Sequence, residues 1–219
     1  MLEKPNFYSV IIGTELLNGR RKDAHFAFLN QQLLSRGWEQ KASFVINDNT
    51  NLMENIFNLI KSDPNSVMFC FGGIGATPDD YTRVVAGKVF RDGKMEFHEE
   101  AKNRILNQFG TEAYPHRINM AYLPINAKLL KNVVNNVAGF YLEDRFFFTP
   151  GFPSMSQAMV IEALDKIYPK SNIEKYRKVM TINASENDLI DTMKKIPENI
   201  DLSSLPKIIG DKRKVVISL

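Results

Sequence analysis

Short continuous apolar runs alternate along this chain with longer segments whose apolar residues recur every three or four positions. The first pattern marks strands buried on both faces and the second marks amphipathic helices. Phe7 to Ile12 reads as a first strand, and residues 13–19 leave it as a loop. Asp23 is placed to cap a helix over 24–36, in which Phe26, Leu29 and Leu33 share a face and Gly37 supplies the stop. Residues 41–46 form a second strand. Asn51, with Glu54 three residues on, has the spacing of a capping box for a helix burying Leu52, Ile56 and Leu59 and ending before Asp63-Pro64. Val67 to Phe71 is the most continuous apolar run, and a helical pattern of Val84, Val85 and Val89 follows from Thr82 to Phe90.

Beyond a turn at 91–94, the pattern predicts a helix over 98–109, stopped at Gly110, and a polar loop over 111–120. Short strands are expected at 121–123 and 128–130. Residues 140–142 and 145–148 flank a turn at Glu143-Asp144 and read as a hairpin or as two adjacent strands. A turn-rich junction, 149–154, then feeds a helix through Ile167. Strands alternating with helices imply an α/β fold of three layers around a mostly parallel sheet. Residues 168–174 read as a boundary, dividing a domain at 1–170 from a small α+β unit at 171–219. That unit is expected to hold a strand at 178–182, a helix at 186–195 and a strand at 214–218. The last strand runs to the end of the chain, so the unit is expected to be truncated.

Composition changes this picture little. The chain has 219 residues, 44% apolar and 24% charged, as in an ordinary soluble globular protein. The net charge is +3, and residues 171–219 carry nine Lys/Arg against seven Asp/Glu. The first 170 residues are thus nearly neutral, which argues against nucleic acid as a partner. No run of 18 apolar residues offers a membrane span, and the N-terminus lacks the apolar core of a signal peptide. The single cysteine, Cys70, lies in the buried run, as expected for a reducing, cytoplasmic setting.

Candidate chemistry gathers after the central strand, in Gly72–Thr82, GGIGATPDDYT. Gly72, Gly73 and Gly75 have no Cβ to keep a ligand from the backbone, and Thr77 adds a hydroxyl. Strand, glycine turn and helix start form the layout of a phosphate site at the carboxyl end of a sheet. The spacing is neither that of a Walker A loop nor that of the dinucleotide fingerprint. Asp79 and Asp80 would repel a phosphate unless a divalent cation such as Mg²⁺ lay between them, although acids at a helix start also favour the macrodipole. Asp48 either serves the site or caps the helix after it. Glu15 either reaches a ribose or a metal or is solvated. His25 is expected on the surface or in packing, and His98 and His116 have no partners at metal-ligand spacing.

Three motifs carry a resemblance. The segment beginning IIGTELLNG at Ile11, the loop GGIGATPDDYT and the junction PGFPSM at Pro150 resemble, in order, signatures of the competence/damage-inducible protein A family, CinA. Thr14, His25, Ala76 and the pair Asn135-Asn136 depart from its usual pattern. The resemblance implies a molybdopterin-binding domain of the MoaB/Mog type and a self-associating protein. It further implies metal-dependent hydrolysis of ADP-ribose-like dinucleotide pyrophosphates. The alternatives are a non-catalytic pterin- or nucleotide-binding module and, third, a molybdopterin adenylyltransferase. On this basis the candidate catalytic residues are Asp80 and Asp48, and the candidate metal ligands are Asp48, Asp79 and Asp80. Candidate ligand and phosphate contacts are Gly13, Glu15, Gly72, Gly73, Gly75, Thr77, Gly151 and Ser154.

Overall fold

The computed structural model describes residues 2–171, 176–209 and 212–219. Two compact units divide the chain, Met1–Asn172 and Ile173–Leu219. Residues 172–174 of the expected boundary lie outside the described residues.

The first unit is built on β1 (Asn6–Ile12), β2 (Gln40–Ile46), β3 (Ser66–Phe71), β6 (Lys128–Leu130), β7 (Gly139–Leu142) and β8 (Phe146–Thr149). They form one sheet in the order β2-β1-β3-β8-β7-β6. β1, β2, β3 and β8 run parallel, while β7 is antiparallel to both neighbours. Alternation within the apolar runs explains the layers. Phe7 and Ile11 of β1, with Val67, Phe69 and Phe71 of β3, face a core closed by helices α2 (His25–Ser35) and α6 (Pro153–Ile167). Tyr8, Val10 and Ile12, with Met68 and Cys70, face the opposite core under α3 (Thr50–Lys61), α4 (Thr82–Arg91) and α5 (Glu99–Phe109). A strand with helices on both sides buries every residue, hence the unbroken run at Val67–Phe71.

The hairpin joining β7 to β8 turns through Glu143 and Asp144, with φ of 58° and 54°, and closes by the Arg145 N–H donating to the Leu142 carbonyl at 3.0 Å. Both central residues are left-handed, which matches the twist of the flanking strands.

Several local expectations are corrected. The loop after β1 contains a short helix, α1 (Thr14–Leu17). The cap of α3 is Asn49, whose side chain accepts from the Leu52 N–H at 2.9 Å, and not Asn51. Glu54 pairs with Lys88 at 2.6 Å instead of reaching back to the helix start. The buried face of α3 is Met53, Phe57 and Ile60, while Leu52 and Leu59 are exposed and Ile56 is half-buried. Apolar residues occupy both stripes, so the period admitted two faces one residue apart. The stripe carrying Phe57, which packs against Phe90 and Phe148, is the one buried. Each such side chain stabilises by about 1.5–3 kcal/mol. Phe26 and Val84 are exposed as well.

Residues 111–120 hold 3₁₀ turns at Gly110–Ala113 and Arg117–Ala121. A small two-stranded sheet pairs β4 (Met95–Phe97) with β5 (Tyr122–Pro124), both too short for a two-residue period to show β4 in the sequence. In the second unit, β9 (Val179–Ile182), β10 (Ser203–Ile209) and β11 (Lys212–Ser218) form a sheet in the order β10-β11-β9. The helix expected over 186–195 is a 3₁₀ turn at Asn187–Leu189 followed by α7 (Ile190–Met193).

Candidate functional site

The carboxyl ends of β1, β2, β3 and β8 bring the loops after them to one edge of the sheet. Ile12 pairs with Ile46, Ile11 with Phe71, and Phe71 with Thr149. The loop at 131–138 arrives at the same edge, because Phe140 at the start of β7 pairs with Phe148.

The glycine loop is set by contacts at its root. Gly72 has φ +103°, and a Cβ there would meet the Ile12 carbonyl oxygen at 2.5 Å. Its N–H donates to Thr149 at 2.9 Å, and its carbonyl accepts from the buried Thr82 hydroxyl at 2.9 Å. Gly73 has φ +68°, and its Cβ would lie 2.2 Å from Thr82 Oγ1. Gly72 therefore shapes the loop and offers it no free donor. The next four backbone N–H groups, of Gly73, Ile74, Gly75 and Ala76, donate to no protein acceptor among the described residues. Unsatisfied consecutive amides at the head of a helix form a cradle for an anion. A Cβ on Gly75 would come within 2.7 Å of Asp80 Oδ2. Beneath the loop lies Arg83, almost buried, whose guanidinium donates to the carbonyls of Ile74 and Gly75. Burial lowers the Arg83 pKa, and the Asp80 charge opposes that shift. Arg83 was not a sequence candidate; its one signal is a cation in the first turn of α4, next to the acidic pair.

The acids are held in different ways. Asp80 Oδ2 accepts from the Thr77 N–H at 2.8 Å and from the Thr77 hydroxyl. The Thr77 hydroxyl expected to face a ligand is thus engaged with Asp80, as is the Thr77 N–H. Asp79 is exposed, with no side-chain partner among the described residues. Asp48 does not cap α3. Its Oδ2 accepts from the Thr14 N–H at 2.9 Å and the Thr14 hydroxyl at 2.7 Å. Among the described residues no group of three His, Cys, Asp or Glu side chains has the arrangement of a metal site, so Asp48, Asp79 and Asp80 do not form a three-carboxylate cage.

A third set of contacts ties the remaining loops together. Gly13 donates to the Ile46 carbonyl at 3.0 Å. Glu15 lies 3.6 Å from Arg21, whose Nη2 donates to the Gly151 carbonyl at 2.9 Å. His25 is buried and stacks on Phe71 with ring centroids 4.4 Å apart. Its Nε2 lies 3.2 Å from the same Gly151 carbonyl, and its Nδ1 lies 3.3 Å from Ser156 Oγ. A carbonyl only accepts, so Nε2 carries the proton and Nδ1 accepts from the serine. Burial lowers the His25 pKa, with the Gly151 hydrogen bond opposing it, and the neutral ring is favoured. A Cβ on Gly151 would meet Gly72 Cα at 3.3 Å. Ser154 is exposed at the start of α6, and the serine that joins the network is Ser156. The loop at 131–138 folds on itself. Buried Asn132 accepts from Val134 N–H and donates to the Val137 carbonyl and to Asn135 Oδ1.

A larger cleft, about 710 Å³, opens at the opposite end of the sheet between Lys128, Tyr141, Glu143, Arg145, Lys166 and Tyr168. Its charges are mostly spent within the protein. Lys128 pairs with Asp144 at 2.8 Å, Glu143 with Arg91 at 2.6 Å, and Arg145 donates to Ser66 and Asp63. Volume alone does not make it the stronger candidate.

The family profile described as "Probable molybdopterin binding domain" matches residues 9–169. A CinA-like protein of Geotalea uraniireducens is 33% identical over 161 residues, which are 70% of this chain and 37% of the relative. A protein of Caldivirga maquilingensis is 30% identical over 168 residues, 73% of this chain and 64% of that protein. The chain thus spans less than two thirds of either. The crystal structure of the protein CinA of unknown function from Thermoplasma acidophilum superposes with a TM-score of 0.67 at 24% identity, covering 75% of this chain and 98% of that one, a likeness of fold.

Proposed function

The chain belongs to the molybdopterin-binding domain family, on its CinA-like side, and from that premise we propose that it hydrolyses ADP-ribose-like nucleotide pyrophosphates with a divalent cation. The observation that carries the proposal is the row of four unsatisfied amides, Gly73 to Ala76, beside the Asp80 carboxylate. The amides bind phosphate oxygens by direct donation, and Arg83 fixes the loop from below through its carbonyls. Asp48 and Asp80 each give one oxygen to a threonine and keep the other. That donor set fits Mg²⁺, which takes one or two carboxylates and completes its shell with phosphate oxygens and water. Bound there, the cation would offset phosphate charge and polarise the P–O bond. The Thr77 and Thr14 hydroxyls hold the two carboxylates in one orientation.

The test is AMP release from ADP-ribose, FAD and other dinucleotide pyrophosphates with Mg²⁺, Mn²⁺ or Co²⁺. Metal-dependent release that disappears in a folded Asp80→Ala variant is the expected result. Absence of release from every substrate overturns it. A second reading, a pterin- or nucleotide-binding module without turnover, is favoured by the self-closed loop at Asn132–Val137. Ligand binding without AMP release would establish it. Adenylyl transfer to molybdopterin is a third and weaker reading, marked by ATP consumption only when the pterin is supplied. A homo-oligomer in the cytoplasm completes the proposal. Among the described residues no helix is long and apolar enough to cross a membrane.

A further inference from the structure

Beside the glycine loop lies a cleft of about 370 Å³ between Arg83, Val84, Phe97, Asn119 and Tyr122. Three of these are large apolar or aromatic side chains left in water: Val84 is 58% exposed, Phe97 47% and Tyr122 41%. Phe97 and Tyr122 are register partners across β4 and β5, with ring centroids 5.1 Å apart. The topology places them at the head of α4. β4 runs back along the helix after the turn at Asp92-Gly93, Met95 packs against Gly87, and Phe97 therefore reaches the first turn. Arg83 joins the two places, since it walls the cleft and donates to the carbonyls of Ile74 and Gly75. The Asn119 side chain and the Tyr122 hydroxyl have no protein partner among the described residues.

We infer that this cleft receives the planar heteroaromatic ring, purine or pterin, of the ligand whose phosphate lies on the Gly73–Ala76 amides. The inference deepens the proposed function and rests on its phosphate loop, not on turnover. Three features select such an occupant. The volume is within the range of small-molecule sites. Two adjacent aromatic faces suit stacking, which tolerates either ring. An amide with both donor and acceptor capacity, together with a phenol, can read a ring edge. A purely aliphatic ligand would leave those polar groups unpaired.

Calorimetric titration of the full chain with inorganic pyrophosphate, ADP-ribose and a phosphorylated pterin tests this. Phe97→Ala and Tyr122→Ala, both at exposed positions, should each weaken the ring-bearing ligand by about fivefold or more and leave pyrophosphate affinity unchanged. Phe97→Tyr should retain ring affinity. Whichever of ADP-ribose and the pterin responds identifies the ring. Equal loss for pyrophosphate and nucleotide, or no loss for either, overturns the ring cleft while the phosphate loop stands. A change of sedimenting mass without a change in nucleotide affinity overturns it in favour of a contact between copies. Failure of the unmodified protein to bind any of the three probes overturns both the cleft and the loop. Binding that depends on Phe97 without AMP release leaves the cleft standing and removes only the hydrolase reading.

Discussion

The two ends of the same sheet are treated differently by the rest of the chain. At the amino end of β1 and β3, Asp63 is saturated. Its Oδ2 accepts from Asn6 at 2.7 Å, Tyr8 at 2.8 Å and Lys41 at 3.0 Å, and its Oδ1 accepts from the Asn65 N–H at 3.0 Å. Arg145 adds three donations to Asp63 and Ser66 close by. At the carboxyl end, four amides in sequence have no protein acceptor among the described residues, and Asp48 and Asp80 are half used. The loop amides and carboxylate oxygens at that end are open to water or a ligand, and the proposed function places its phosphate there. The comparison also explains why the larger cleft, at the amino end, makes the poorer site.

The largest effect expected is on activity alone. Asp80→Asn should cut turnover roughly 100-fold or more, the scale of losing one electrostatic stabiliser, while the melting temperature moves little. A large fall in melting temperature would instead make Asp80 a structural residue like Asp63. Gly73→Ala attacks the same end through its backbone. With φ +68° and Thr82 Oγ1 in the way, it should cost about 1–3 kcal/mol in denaturant unfolding and weaken pyrophosphate binding as well. Asp63→Ala is the converse. Stripping the acceptor from Tyr8, Asn6 and Lys41 should lower stability by about 1–2 kcal/mol with ligand affinity intact.

Acid separates the ends further. Burial pushes the Asp63 pKa up, but the hydrogen bonds from Tyr8, Lys41, Asn65 and Asn6 outweigh it and hold it at about 2, against an ordinary 3.8. Its contribution is complete above pH 3.8 and is lost as pH falls toward 2. His25 works in another window. Burial lowers its pKa below the ordinary 6.5, so the unfolded chain takes up the proton first and stability declines as pH falls below 6.5. Unfolding midpoints measured against pH should show both slopes. His25→Gln should flatten the upper one and Asp63→Asn the lower one. The smallest effect belongs to Lys128→Ala. Its exposed pair with Asp144 should be worth about 1 kcal/mol at most, with no change in nucleotide binding.

Much of this was legible in the chain. The runs Phe7–Ile12 and Val67–Phe71 announce central strands, because only a strand covered on both faces tolerates unbroken apolar residues. The glycine loop, its acids and the helix after them are contiguous, so their order is written locally. The hairpin at Glu143-Asp144 is local too. The short strand at 121–123 was expected and appears as β5, whereas its partner β4, the buried face of α3 and β10 were not legible; a three-residue strand and a two-sided apolar helix carry no unique period.

Sequence alone thus determined most strands and helices of the first unit, the layered α/β class, the resemblance that led to the family, and the position of the glycine loop after the central strand. Tertiary structure decided the rest. Arg83 passes under its own loop, Thr14 orients an aspartate 34 positions away, and His25 and Arg21 meet at the Gly151 carbonyl across 126 and 130 positions. Local patterning fixes which residues turn inward. It does not say which distant partner they meet, and that depends on strand order and on where the layers close.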